Sequence, residues 1–221
     1  MDKYVLILSI NLIFCLLPVM AGYYAWRAFD RARIILFIYL HLVIIAETIG
    51  LINTAAVRNN LWFYHIFAPI SYYFIIIIFS YYLRNKTIKK IARLSIVIYI
   101  AVSITMSALS PDKGYFNFLA VAIANFCYLV LSILILAILF SDDENRPMEL
   151  PHFWLTAGLF IYSTGNILYY AIFDFIAKEH VGLIWMIHLA INMLSNVFYT
   201  IGLMADSRLF KKVLSKINPA H

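Results

Sequence analysis

The sequence predicts an all-α polytopic membrane protein with seven transmembrane helices, its N-terminus outside and its C-terminus cytoplasmic. Three observations lead to this prediction: the composition, the length of the apolar runs and the placement of the basic residues. Of the 221 residues, 64% are hydrophobic and 13% are charged, and the mean hydropathy is +0.88. A soluble domain is about 45–50% apolar and about 25% charged. The composition therefore favours a chain that lies mostly in hydrocarbon.

Seven apolar runs are long enough to cross a bilayer, which takes about 20 helical residues. The predicted helices are 4–25, 34–54, 61–83, 91–109, 115–140, 152–175 and 182–204. Their connections are short, and Pro151 suits the first turn of the sixth helix. We therefore expect residues 1–221 to form a single seven-helix domain.

The lysines and arginines predict the orientation, because cytoplasmic loops carry an excess of them. Thirteen lie on one side of the predicted spans: Arg27, Arg31, Arg33, Arg84, Lys86, Lys89, Lys90, Arg93, Arg146, Arg208, Lys211, Lys212 and Lys216. Four lie on the other side: Lys3, Arg58, Lys113 and Lys178. This split favours an external N-terminus. Cleavage of the first run as a signal peptide would reverse the split, so we predict that this run stays as a helix.

The sixth and seventh runs each carry a stripe of polar side chains. In "WMIHLAINMLSNVFYT" (185–200), His188, Asn192 and Asn196 recur every fourth residue and so lie on one helix face. A matching stripe on the sixth helix contains Thr156, Ser163, Asn166, Tyr170 and Asp174. Consecutive helices usually pack together, so we expect the two stripes to face a polar interior. A structural role as interhelical hydrogen bonds is the alternative for the asparagines.

Glu47 lies in the otherwise apolar stretch "HLVIIAETIG" (41–50) of the second helix. A charged carboxylate at membrane depth costs at least about 2.5 kcal/mol, and such residues are functional by default. We expect His65 or His188, at similar depth, to be its partner. The predicted ligand-binding or proton site consists of the polar residues in the outer half of the bundle: Glu47, His65, Asn166, Tyr170, Asp174, His188 and Asn192.

Several classes of function are excluded by the absence of their motifs. Each of the nine lysines lies at a span end, in a loop or in a tail, so a retinal Schiff base inside a helix is excluded. The sequence contains no phosphate-binding glycine loop, no Cys-x-x-Cys pair and no Gly-x-Ser-x-Gly elbow. The basic residues flank apolar runs, so anionic lipid explains them better than nucleic acid does.

Two stretches carry a resemblance to a known family: "ETIGLINTAAVRNNLWFYH" (47–65), and "FWLTAGLFIYSTGN" (153–166) followed by "WMIHLAIN" (185–192). They resemble a family of small, mostly uncharacterised bacterial seven-helix membrane proteins. Similar seven-helix modules receive signals at the front of membrane histidine kinases. The resemblance implies a bacterial inner-membrane location and a sensory role through a separate partner, and it transfers no catalytic residues.

The seven-helix zinc hydrolases, which include ceramidases and adiponectin-type receptors, carry a His-x-x-x-His pair on the last helix. Here the corresponding residues are His188 and Asn192, so that pair lacks one ligand. Glu47, His65 and His188 form an alternative set of ligands for a divalent metal. Apart from this alternative, we expect no cofactor.

The sequence thus predicts a receptor-like or sensory membrane module with an outward-facing polar pocket. Its expected partners are the lipid bilayer, anionic lipid at the basic inner surface, and a membrane or cytoplasmic signalling protein. An intramembrane lipid-modifying enzyme and a proton-coupled carrier are the alternatives. The sequence does not decide whether the chain is an enzyme.

Overall fold

The computed structural model describes residues 3–56, 61–109, 118–141 and 146–206, and all regular secondary structure in these ranges is helical. The prediction of an all-α fold is therefore confirmed. The helices are α1 (Lys3–Ala25), α2 (Arg31–Ala55), α3 (Leu61–Ser80), α4 (Lys86–Leu109), α5 (Phe118–Phe140) and α6 (Pro151–Met204), with 3-10 turns at Trp26–Ala28 and Pro147–Glu149. Pro151 opens α6, where its missing N–H costs no hydrogen bond.

Within the described ranges, five helical segments are long and apolar enough to cross a membrane: Val5–Ala28, Arg31–Ala55, Lys86–Ala108, Leu119–Phe140 and Met186–Met204. Large apolar side chains also cover the outside of the bundle, including Ile13, Ile38, Val97 and Phe126. An apolar surface of this extent is unfavourable in water. Both features are consistent with an integral membrane protein.

The predicted sixth and seventh helices belong to one helical segment, α6, which doubles back on itself. Its 54 residues would be about 81 Å long if they were straight. Yet the Asn166 Oδ1 and His188 Nδ1 atoms are 2.7 Å apart, and the space beside Gly202 is filled by Leu155. The segment therefore has two antiparallel arms, the first arm (151–169) and the second arm (186–204). The expected break at 176–181 contains no proline, and the backbone there stays helical.

The helices form a closed ring in which α1 packs against both α2 and α6. Around the ring, α2 contacts α3, α3 contacts α4 and α5, and α5 contacts α6. Residues 25–33, 80–93, 146–152 and 204–206 meet at one end, which we call the basic end. Because α6 closes the ring on α1, residues from the two ends of the sequence can share one interior.

A buried arginine holds the basic end together. Arg33 is 5% exposed, and its Nη1 lies 2.8 Å from Asp206 Oδ2 beyond the second arm. Its Nη2 donates to the Ala28 carbonyl at 2.8 Å. Asp30 caps α2 by accepting from the Arg33 N–H, and its other oxygen lies 3.5 Å from Arg33 Nε. These contacts tie α2 to the end of α6.

The two arms of α6 approach closely at Gly202, which leads to a prediction about stability. A Cβ added there would lie 2.6 Å from Leu155 Cδ2 and 3.1 Å from the Leu155 backbone nitrogen. We expect Gly202→Ala to lower the free energy of unfolding by about 1–3 kcal/mol, as overpacking does. Thermal unfolding in detergent measures this loss. Ala190→Leu, on the exposed face of the second arm, is the control and should have little effect. Equal stability of the two variants would contradict the close packing of the arms.

Candidate functional site

Asn11 on α1 joins Glu47 to the second arm of α6. Its Nδ2 donates to Glu47 Oε2 at 3.1 Å, and its Oδ1 accepts from Asn192 Nδ2 at 3.0 Å. Asn11 itself has no exposed surface. One amide thus uses both its donor and its acceptor sides to connect α2, α1 and α6. We call Glu47, Asn11 and Asn192 the amide bridge.

His188 lies one helical turn before Asn192 and is held by Asn166 of the first arm. Asn166 is 1% exposed, and its Nδ2 donates to the Tyr162 carbonyl at 2.9 Å. Its Oδ1 therefore faces His188 Nδ1, 2.7 Å away. Since an amide oxygen can only accept, His188 carries a proton on Nδ1, and Nε2 of a neutral ring is then an acceptor that bonds no described residue. The Tyr169 ring packs on the imidazole with the ring centroids 4.9 Å apart.

The other described polar groups on these faces of the two arms have structural roles. Asn196 Nδ2 lies 3.5 Å from Cys15 Sγ, which adds a second contact between α1 and the second arm. Thr156, Ser163 and Ser195 each bond a carbonyl of their own helix. Hydroxyl groups satisfied in this way need no partner on another helix.

The predicted site residues divide into three groups. The amide bridge and the Asn166–His188 pair bring four of them onto helices that pack together: Glu47, Asn166, His188 and Asn192. His65 on α3 instead contacts Ser107 Oγ of α4 at 3.1 Å. Tyr170 and Asp174 lie on the helical backbone of α6, but their side chains are outside the described part of the structure.

The structure does not gather Glu47, His65 and His188 into a metal site. Among the described residues, no group of three His, Cys, Asp or Glu side chains is placed to hold a metal ion. The physical reason is that His65 belongs to the α3–α4 contact, whereas Asn11 of α1 occupies the space beside Glu47. The expected histidine partner of Glu47 is thus replaced by an amide.

A cavity of about 310 Å³ lies between α3 and α4, away from the amide bridge. Pro69, Ile70, Tyr73, Phe74 and Ile100 line it. Its lining is apolar and includes none of the predicted site residues, so it is not the expected polar pocket.

Two contacts that organise the site were not predicted from the sequence. Asn11 could have been found in the same way as Asn192, because it is an amide inside an apolar run, "SINLIFC" (9–15). The Arg33–Asp206 ion pair joins residues 173 positions apart. Sequence spacing gives no signal for a pair of residues so far apart.

The chain matches no protein-family model, no curated protein and no solved structure. The resemblance to small bacterial seven-helix proteins therefore stays a prediction. The functional argument depends on the geometry of the amide bridge and its neighbours.

The amide bridge predicts that Asn11 stabilises the fold. Asn11→Leu removes two interhelical hydrogen bonds and leaves Glu47 Oε2 and Asn192 Nδ2 without partners. We expect it to lower the free energy of unfolding by about 1–3 kcal/mol, since such bonds contribute about 0.6–1.7 kcal/mol each. Thermal or denaturant unfolding in detergent measures the loss.

Asn125→Leu on α5 is the matched control. Asn125 is also buried, but it donates only to the carbonyl of Val121 in its own helix, and its Oδ1 is a buried acceptor without a partner in the described structure. Replacing it should be neutral or stabilising. If the two leucine variants lost equal stability, Asn11 would have no special bridging role.

Proposed function

We infer that this chain is a receptor-like or sensory integral membrane module of seven spans, with its N-terminus outside and its C-terminus in the cytoplasm. In this proposal it lies in a bacterial inner membrane and signals through a separate partner protein. A small or amphipathic ligand enters from the outer side and binds at the amide bridge. The observation that carries the proposal is that α2 and the second arm of α6 are connected at two levels.

The first connection is the amide bridge, and the second is the Arg33–Asp206 ion pair. Glu47 and Arg33 are 14 residues apart on α2, and Asn192 and Asp206 are also 14 residues apart. At 1.5 Å per residue, both separations are about 21 Å. Two rigid helices joined at both levels favour coupling between the amide bridge and the ion pair, because a change in the distance between the helices at one level changes their distance at the other. A ligand that alters the amide bridge would thereby act on the basic end.

The basic end offers a surface for anionic lipid and for a signalling partner. Exposed basic side chains there are Arg27, Arg31, Arg84, Lys86, Lys90, Arg93 and Arg146. Lysine and arginine near a cytoplasmic leaflet attract anionic lipid, each by about 1 kcal/mol. The same charge suits an acidic surface on a partner protein. The basic residues Arg208, Lys211, Lys212 and Lys216 follow Asp206 in the sequence, so in this proposal a change in the ion pair is passed to the C-terminal tail.

The orientation is tested by cysteine labelling in intact cells. Ala56→Cys lies at the exposed end of α2 and should react with a membrane-impermeant maleimide from outside. Arg84→Cys should react only after permeabilisation. The parent chain, with Cys15 buried and Cys127 partly buried, is the unlabelled control. Labelling of Arg84→Cys in intact cells would reverse the topology and overturn the proposal.

Coupling between the two levels is tested by a double-mutant cycle of Glu47→Gln and Asp206→Asn. Mutations this far apart usually add to within about 0.3–0.5 kcal/mol. We expect their combined effect on the free energy of unfolding to depart from additivity by about 0.5–2 kcal/mol, the range for coupled sites. The pair Asn125→Leu with Asp206→Asn should be additive. Additivity in both pairs would refute the coupling that the sensory role requires.

A further inference from the structure

We propose that the amide bridge and His188 form a binding site for the primary ammonium group of a small amphipathic ligand. This assignment deepens the proposed function, on which it rests, by naming the chemistry of the ligand. The argument depends on which hydrogen-bonding atoms remain open after the internal contacts have been made.

Three open atoms of the site are acceptors. Glu47 uses Oε2 for Asn11, and its Oε1 has no hydrogen bond to a described residue. Asn192 uses Nδ2 for Asn11, so its Oδ1 is open within the same part of the structure. His188 uses Nδ1 for Asn166, and its Nε2 has no hydrogen bond to a side chain that the structure describes. All three residues are partly exposed.

The three acceptors belong to neighbouring side chains. Glu47 and Asn192 bond to the two sides of one amide, and residues four apart on a helix, such as His188 and Asn192, have Cβ atoms about 5–6 Å apart. A primary ammonium group has three N–H donors and no acceptor. Its three N–H donors thus match the three open acceptors, while Asn11 and Asn192 each keep one further amide N–H.

Charge favours the same ligand. Glu47 makes no ion pair with any residue that the structure describes, and its only hydrogen bond there comes from a neutral amide. A positive partner stabilises a charged carboxylate in a membrane span. A bound ammonium supplies that partner, and its apolar remainder can lie among the apolar side chains of the bundle.

The test uses alkyl compounds of one chain length with different head groups, added to the purified full chain in detergent at pH 7. Hexylammonium should raise the unfolding temperature in a saturable way. Hexanol, hexanoate and hexyltrimethylammonium should bind at least tenfold more weakly, because they lack the charge, reverse it or lack the N–H donors. Equal shifts from hexanol and hexylammonium, or no saturable shift from hexylammonium, would overturn the proposal.

Variants then locate the binding. Glu47→Gln keeps the shape and the oxygen that accepts from Asn11, but it removes the charge and replaces the open oxygen with an NH2 group, and it should weaken hexylammonium binding at least tenfold. Glu47→Asp retains the charge and should bind hexylammonium more tightly than Glu47→Gln does. If Glu47→Gln does not fold, Glu47→Asp is compared with Asn192→Leu instead and should bind more tightly than that variant. Asn125→Leu is the control and should bind as the parent chain does. Unchanged affinity in Glu47→Gln, or in Asn192→Leu where the glutamine variant is not folded, would place the binding elsewhere.

Three further outcomes separate this proposal from the others. A shift produced by Zn²⁺ or Mn²⁺ with the same dependence on Glu47, and none by hexylammonium, would replace the ammonium with a metal ion. Binding of hexylammonium together with additive Glu47 and Asp206 variants would retain the ligand class and refute the sensory role. Coupling of those two variants without ammonium binding would support the sensory role and refute the ligand class.

Discussion

The amide of Asn11 is the interaction on which the organisation of the bundle interior depends. In hydrocarbon, polar side chains must find partners within the protein, because no water is present to bind them. Asn11 satisfies a carboxylate oxygen on α2 and an amide on α6 at once, and no surface of its own remains exposed. Its position on α1, the helix between those two, fixes how Glu47 faces the second arm. The open acceptors of the site follow from that arrangement.

The same helices are joined again by Arg33 and Asp206, and the two levels differ in chemistry. The amide bridge is made of weak neutral contacts around one carboxylate, so a ligand can change it at low cost. The Arg33 contact is an ion pair between a buried guanidinium and a carboxylate that is 35% exposed. Removing one partner of a fully buried ion pair costs about 3–5 kcal/mol. The cost here is smaller because Asp206 is partly exposed. The proposed sensory function rests on this difference between a weaker and a stronger connection on the same two helices.

The sequence predicted the helices and part of the site, for reasons that can be stated. Long apolar runs specify helices in a membrane protein, and the stripe of His188 and Asn192 correctly indicated that this face of α6 meets polar groups. The partner of Glu47 could not be predicted, since the choice among Asn11, His65 and His188 depends on which helix lies beside α2. His65 has the right depth but belongs to the contact of α3 with α4. The sequence predicted separate helices at 152–175 and 182–204; the contacts between the two arms of α6 show that the chain reverses between them, although the secondary structure is continuous there.

Solid-state NMR tests the Asn11–Glu47 contact most directly. In protein carrying ¹⁵N in asparagine side chains and ¹³C in glutamate carboxyl groups, the dipolar coupling reports the distance from an amide nitrogen to a carboxyl carbon. A hydrogen bond of 3.1 Å between Asn11 Nδ2 and Glu47 Oε2 places that carbon about 4 Å from the nitrogen. The account predicts a coupling of that strength which disappears in Asn11→Leu. A spectrum without such a coupling, or one that Asn11→Leu leaves unchanged, would contradict it.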